Sequence, residues 1–155
     1  MELSREEFEM LKHAYEVGGR SPGRESEENL AYFEQKYEKI PTDYRWLLKE
    51  FGGCHLLDPE INPLVLLTED FKEFNEFYAN DEAMKISTED FFPCGSLNGE
   101  MVGILEATGQ VAILPHDMYV KTVADLEVIS NSFKELVMNL AQNRLEIEEL
   151  INNGT

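Results

Sequence analysis

Apolar residues in the first third of the chain recur at helical spacing, and polar residues fill the positions between them. Phe8, Leu11 and Tyr15 form one such stripe. Ser4 and Glu7 precede it as a capping box, Leu3 and Phe8 stand where a hydrophobic staple would put them, and Gly18-Gly19 ends the run. Gly18 to Arg24 reads as a flexible link. A second helix follows, with Ser26 as its cap, Glu27 and Glu28 at the positive end of its dipole, and Leu30, Phe33 and Tyr37 as its buried stripe. Ile40-Pro41 breaks it. Thr42 and Asp43 open a third helix, in which Tyr44, Leu47, Leu48 and Phe51 share a face and Gly52-Gly53 supplies the C-terminal stop. Trp46 falls about 200° around from Tyr44 and so leaves that face; it either packs on a second layer or meets a partner.

Beyond the loop Cys54 to Pro63, the apolar run Leu64 to Leu67 suits a buried strand, with Thr68 capping a further helix whose Phe71, Phe74 and Tyr78 face the core. Glu69, Glu73 and Glu76 mark the opposite side of that helix. The period then changes to alternation. Phe91 to Cys94 reads as a strand held to an edge or start position by Pro93, Met101 to Glu106 and Gln110 to Leu114 as two more joined by a turn at Thr108-Gly109, and Met118 to Val120 as a short fourth. From there the chain turns helical. Ser132 and Glu135 form another capping box, followed by the apolar face Phe133, Leu136, Val137, Leu140, Ala141, Leu145 and Ile151. These elements predict an α+β fold in a single domain spanning residues 1–155.

Composition changes that picture chiefly through charge. The 155 residues carry 31 acidic and 13 basic side chains, a formal net charge of −18. Such a field repels nucleic acid and anionic lipid, and disfavours both as direct partners. It keeps a protein soluble, and it also accelerates association with a basic partner; composition leaves both readings open. No apolar run is long enough to span a membrane, and the N-terminal residues lack the basic and apolar regions of a signal peptide. Cys54 and Cys94 are expected as free thiols, and the expected location is the cytoplasm.

The candidate chemistry is sparse. Cys54, His55, Cys94 and His116 hold zinc-ligating atoms without a pairing motif, so no metal is expected. Ser96, His116 and Asp117 could form a nucleophile set only if the fold brought them together, and Ser96 lacks the flanking glycines of a nucleophile elbow. No phosphate-cradling glycine motif occurs. Binding is better supplied. Trp46 and Glu50 lie off the buried stripe of the third helix, and the loop after it carries His55, Asp58 and Glu60. An aromatic side chain among carboxylates suits the hot spot of an interface with a basic surface. Glu69, Glu73 and Glu76 form a second acidic stripe; from Glu69 to Asp90, eight acidic residues face two basic ones.

The order of these segments resembles the SUKH superfamily, which includes the yeast Smi/Knr-type regulators of cell-wall synthesis and many bacterial immunity proteins. The strongest likeness is the run from Ile40-Pro41 through Tyr44 and the apolar pairs to Gly52-Gly53. It is similar to the family's Leu-Pro, spaced aromatic, helix and closing Asn-Gly-Gly, with Ile40 in place of the commoner Leu and Phe51 in place of the Asn. Glu27 to Glu34 looks like the preceding acidic helix, Phe92 to Gly103 like the strand and glycine-rich turn before the central hairpin, and Ser132 to Leu136 like the start of the terminal helix. The resemblance implies a central, largely antiparallel sheet flanked by helices, no catalytic residues and no cofactor. It also implies protein binding, most often neutralisation of a toxin domain, many of which are nucleases with basic surfaces. The alternative it carries is a scaffold or regulator of envelope or stress pathways with no toxin partner.

Overall fold

A computed structural model of the protein describes residues 1–18, 22–78, 86–115 and 122–154, with backbone alone at 77 and 78. The helices expected in the first third form where the caps place them. Helix α1 spans Arg5–Gly18, and its capping box is closed in both directions: the Glu7 amide donates to Ser4 Oγ at 3.1 Å, and the Ser4 amide donates to Glu7 Oε1 at 2.9 Å. Helix α2 spans Glu27–Lys36, and Ser26 Oγ accepts from the Asn29 amide at 3.1 Å. Helix α3, Thr42–Glu50, buries Tyr44, Leu47 and Leu48. It stops at Gly52, whose φ of +85° is a left-handed conformation natural to glycine and whose amide reaches back to the Leu47 carbonyl at 3.0 Å. A Cβ at Gly52 would run into the carbonyl of Gly23, so the link between α1 and α2 closes directly over this stop.

A five-stranded antiparallel sheet follows the chain order: β1 (Glu60–Ile61), β2 (Phe91–Leu97), β3 (Glu100–Leu105), β4 (Val111–Leu114) and β5 (Glu127–Ser130). Asn98 and Gly99, at φ of 51° and 81°, turn β2 into β3 as a tight hairpin. Pro93 does not confine β2 to the sheet edge. The strand lies between β1 and β3, but β1 reaches only Gly95 and Ser96, so Pro93 itself sits where the strand has a single neighbour. Alternation sends successive strand residues to opposite faces. Phe92, Cys94, Val102, Ile104 and Val111 join the main core with residues of all five helices. Phe91, Leu105, Ala112 and Leu114 enter a second cluster with Phe74, Ile86 and Leu126. The ring of Phe91 lies over Gly103, where any side chain would collide with it. The terminal helix α5, Phe133–Asn153, is capped by Ser132 Oγ and packs along α1.

Two further expectations are corrected. Leu64 to Leu67 is no strand but the first turn of α4, Leu64–Glu73, which widens into a π-helical turn at Phe74–Tyr78. Pro63 occupies the N-cap, where a missing amide costs nothing, and its carbonyl accepts from Leu66 and Leu67. Leu64, Leu67, Phe71 and Phe74 then share one buried face. Thr68 is no cap; its hydroxyl donates to the Leu64 carbonyl at 2.9 Å inside the helix. The second correction lies after the sheet's centre. Where continuous helix is expected, Val123–Asp125 makes a single 3-10 turn and β5 pairs with the free side of β4. The ladder that β4 offers overrides local helix propensity. The expected strand Met118 to Val120 lies outside the described residues.

Candidate protein-binding surface

Two regions carry the expected binding residues, and the structure uses them differently. On α3, Trp46 is half-buried and packs edge-on against Phe8 and Phe51, at 6.3 and 6.1 Å between ring centroids. Phe51 in turn stacks on Tyr15 at 4.3 Å, and the Tyr15 hydroxyl donates to the Gly53 carbonyl at 2.5 Å. Trp46 is therefore part of an aromatic layer that fastens α1 to α3. Glu50 is held by Arg24 at 3.1 Å. Arg45 forks between Glu27, at 2.6 Å, and Glu34, at 2.9 Å, and Lys49 adds a second cation 3.4 Å from Glu27. Hydrogen bonding to Arg45 holds the Glu27 carboxyl down at about 2. The outer side of α3 is thus largely neutralised within the molecule.

The loop after α3 closes on itself, because the Cys54 and Ile61 backbones pair in both directions, at 2.9 and 2.8 Å. That closure brings His55 Nδ1 to 3.7 Å from Glu60, while Asp58, before the cis Asp58-Pro59 bond, is exposed.

Helix α4 offers the other surface. At about 100° per residue, Val65, Leu66, Glu69 and Glu73 fall within an arc of about 100°, opposite the buried Leu64, Leu67 and Phe71. Val65 is 66% exposed and Leu66 43%. Two large apolar side chains left in water on one turn are the kind of feature a binding surface presents. Glu69, Glu73 and Glu76 are all exposed along the same helix and its π-helical turn, with Lys72 paired to Glu69 at 3.6 Å. Beneath them, Asp70 is half-buried and accepts from Asn62 Nδ2 at 2.6 Å. Burial, with the negative charge of Glu73 and then Glu69 beside it, raises its carboxyl to about 6, against the opposing hydrogen bond from Asn62. Asn62 is itself tied to the core, its carbonyl accepting from the Tyr44 hydroxyl at 2.7 Å. The glutamates are legible in the sequence and the apolar pair is not, since a strand at Leu64 to Leu67 would bury all four residues. The helical period 64, 67, 71, 74 behind Pro63 is the signal that reveals it.

Cys54 and Cys94 are free and buried, and burial raises both thiols, which leaves them unreactive. Among the described residues no group of three or more His, Cys, Asp or Glu is placed to hold a metal ion. Ser96 lies on β2 opposite Met101, and His116 and Asp117 lie outside the described residues. Among the described residues, no helix is long and apolar enough to cross a membrane.

The fold defines the class: an α+β protein built on an open five-stranded antiparallel sheet with helices packed against it. The chain belongs to the SMI1/KNR4 family (SUKH-1), which it matches over residues 25–139. No individual curated protein matches it significantly.

Proposed function

We propose that the protein is a non-catalytic immunity protein of the cytoplasm that neutralises a basic toxin domain by binding it, with the exposed face of α4 as the docking surface. The observation that carries this reading is the apolar pair Val65 and Leu66 exposed beside Glu69, Glu73 and Glu76, on a chain of −18 net charge from the SMI1/KNR4 family. Apolar side chains at the centre of an interface supply lasting contact once desolvated, and the carboxylates around them steer and orient a basic partner. Trp46, with His55, Asp58 and Glu60 on the loop after α3, forms the flank of the same proposal; Glu50, paired with Arg24, contributes least.

Co-expression in cells with the toxin domain encoded beside this protein tests the reading. Wild-type protein should restore growth, and Leu66→Asp should not, although it folds as well as wild type. A wild-type protein that binds no such domain and gives no protection would overturn it.

A further inference from the structure

A separate concavity lies where the α2–α3 link meets the β3–β4 turn and the residues entering β2. It is a groove of about 410 Å³, at the small end of the range of ligand sites. Ile40, Phe92 and Ile104 form an apolar floor, and Glu38, Glu89 and Glu106 stand around it. Thr88 fixes one of the three, its hydroxyl donating to Glu38 Oε2 at 2.7 Å. Among the described residues none of these three carboxylates forms an ion pair, and neither does Lys39, which also lines the groove. The contrast with the α2–α3 side is plain, since Glu27, Glu34 and Glu50 there all have arginine partners. Burial pushes the Glu38 carboxyl up, and the charges of Glu89 and Glu106 push it further. Like charges gathered at a partly desolvated cleft oppose folding unless a cation joins them.

An apolar floor under a carboxylate rim matches a side chain with an aliphatic stem and a cationic head. Arginine fits better than lysine, because its planar fork can bridge two carboxylates and its guanidinium gives up water more readily. We propose that this groove takes an arginine side chain of the protein partner, its stem over Ile40, Phe92 and Ile104 and its guanidinium among Glu38, Glu89 and Glu106. The inference rests on the protein-binding reading but requires neither a toxin nor α4.

The test uses an isotope-labelled chain at low ionic strength and two probes: a capped Gly-Arg-Gly peptide and the same peptide with citrulline, which keeps the shape and loses the charge. The expected result is saturating shifts of the Thr42, Thr88 and Gly109 amide signals with the arginine peptide only. Glu38→Gln combined with Glu106→Gln should weaken that response about tenfold or more. Glu89→Gln, at an exposed position, gives an independent variant whose fold is not in question. Equal responses to the two peptides, shifts centred on Glu69 and Glu73 instead, undiminished binding by the variants, or groove shifts that follow protein concentration without peptide would each overturn the proposal. The last outcome would make the occupant a second copy of this chain. Failure to protect cells from a toxin would leave this titration unaffected, so the two readings fail separately.

Discussion

Single residues here carry both the fold's strain and its internal fastenings. Asp70 accepts a hydrogen bond from Asn62, yet burial and two neighbouring glutamates hold its carboxyl near 6, above the ordinary 3.8. The folded protein therefore binds a proton more readily than the unfolded chain. The contribution of Asp70 to stability is unfavourable above pH 6, and it recovers as pH falls from 6 towards 4. Asp70→Asn should stabilise the protein at pH 7.5 by up to about 1 kcal/mol, allowing for the solvent that still reaches the group. Urea midpoints measured at both ends should show that gain vanish below pH 4; an equal gain at both would contradict the assigned charge state. Trp46 bears a different load. Its contacts with Phe8 and Phe51 join two helices, so Trp46→Ala should lower stability by about 2 kcal/mol in thermal or urea unfolding. A loss under about 0.5 kcal/mol, the range of ordinary surface substitutions, would show that the aromatic layer is not structural.

At the level of elements, the ends of helices proved the most legible features. Ser4, Ser26 and Ser132 each cap the helix their position predicts, because a cap is a local bond between residues three apart. The stop at Gly52-Gly53 was equally plain. Gly52→Ala should cost about 2 kcal/mol or more, since it forces a Cβ into a left-handed position against the Gly23 carbonyl; a stable, unchanged variant would refute that geometry. The elements missed are those decided by distant partners. β1 is two residues long and exists through pairing with β2 and Cys54, and β5 exists through β4. Leu64 to Leu67 is a run of four apolar residues, whose burial on both sides of a strand or on one side of a helix the run itself does not decide. The turn at Thr108-Gly109 was legible, whereas the hairpin at Asn98-Gly99 was missed, although Asn-Gly between extended runs is a strong local signal. Of the candidate site, residue types could be read but not pairing: nothing local in the sequence says that Arg45 neutralises Glu27 and Glu34 while Glu69, Glu73 and Glu76 face water. Helix α4 makes its own prediction. Leu66→Asp exchanges an exposed side chain and should leave stability within about 0.5 kcal/mol, while a partner that docks there should be lost at least tenfold faster.

For the whole molecule, a net charge of −18 acts over several ångströms of solvent and distinguishes partners by sign before any contact forms. Its distribution matters more than its sum. The α2–α3 side holds Arg24, Arg45 and Lys49 among its glutamates, whereas among the described residues most carboxylates of the α4 face and of the groove beside Glu38 form no ion pair. Steering and holding should therefore separate on α4, with the glutamates governing the rate of encounter and the apolar pair governing release. The most direct measurement is the kinetics of binding to a toxin domain of the proposed kind at several salt concentrations, for wild type and for Glu69, Glu73 and Glu76 all changed to Lys. The account predicts association slowed about tenfold at low salt, a flatter dependence on salt, and dissociation nearly unchanged. Association as fast and as salt-sensitive in the triple variant as in wild type would contradict it.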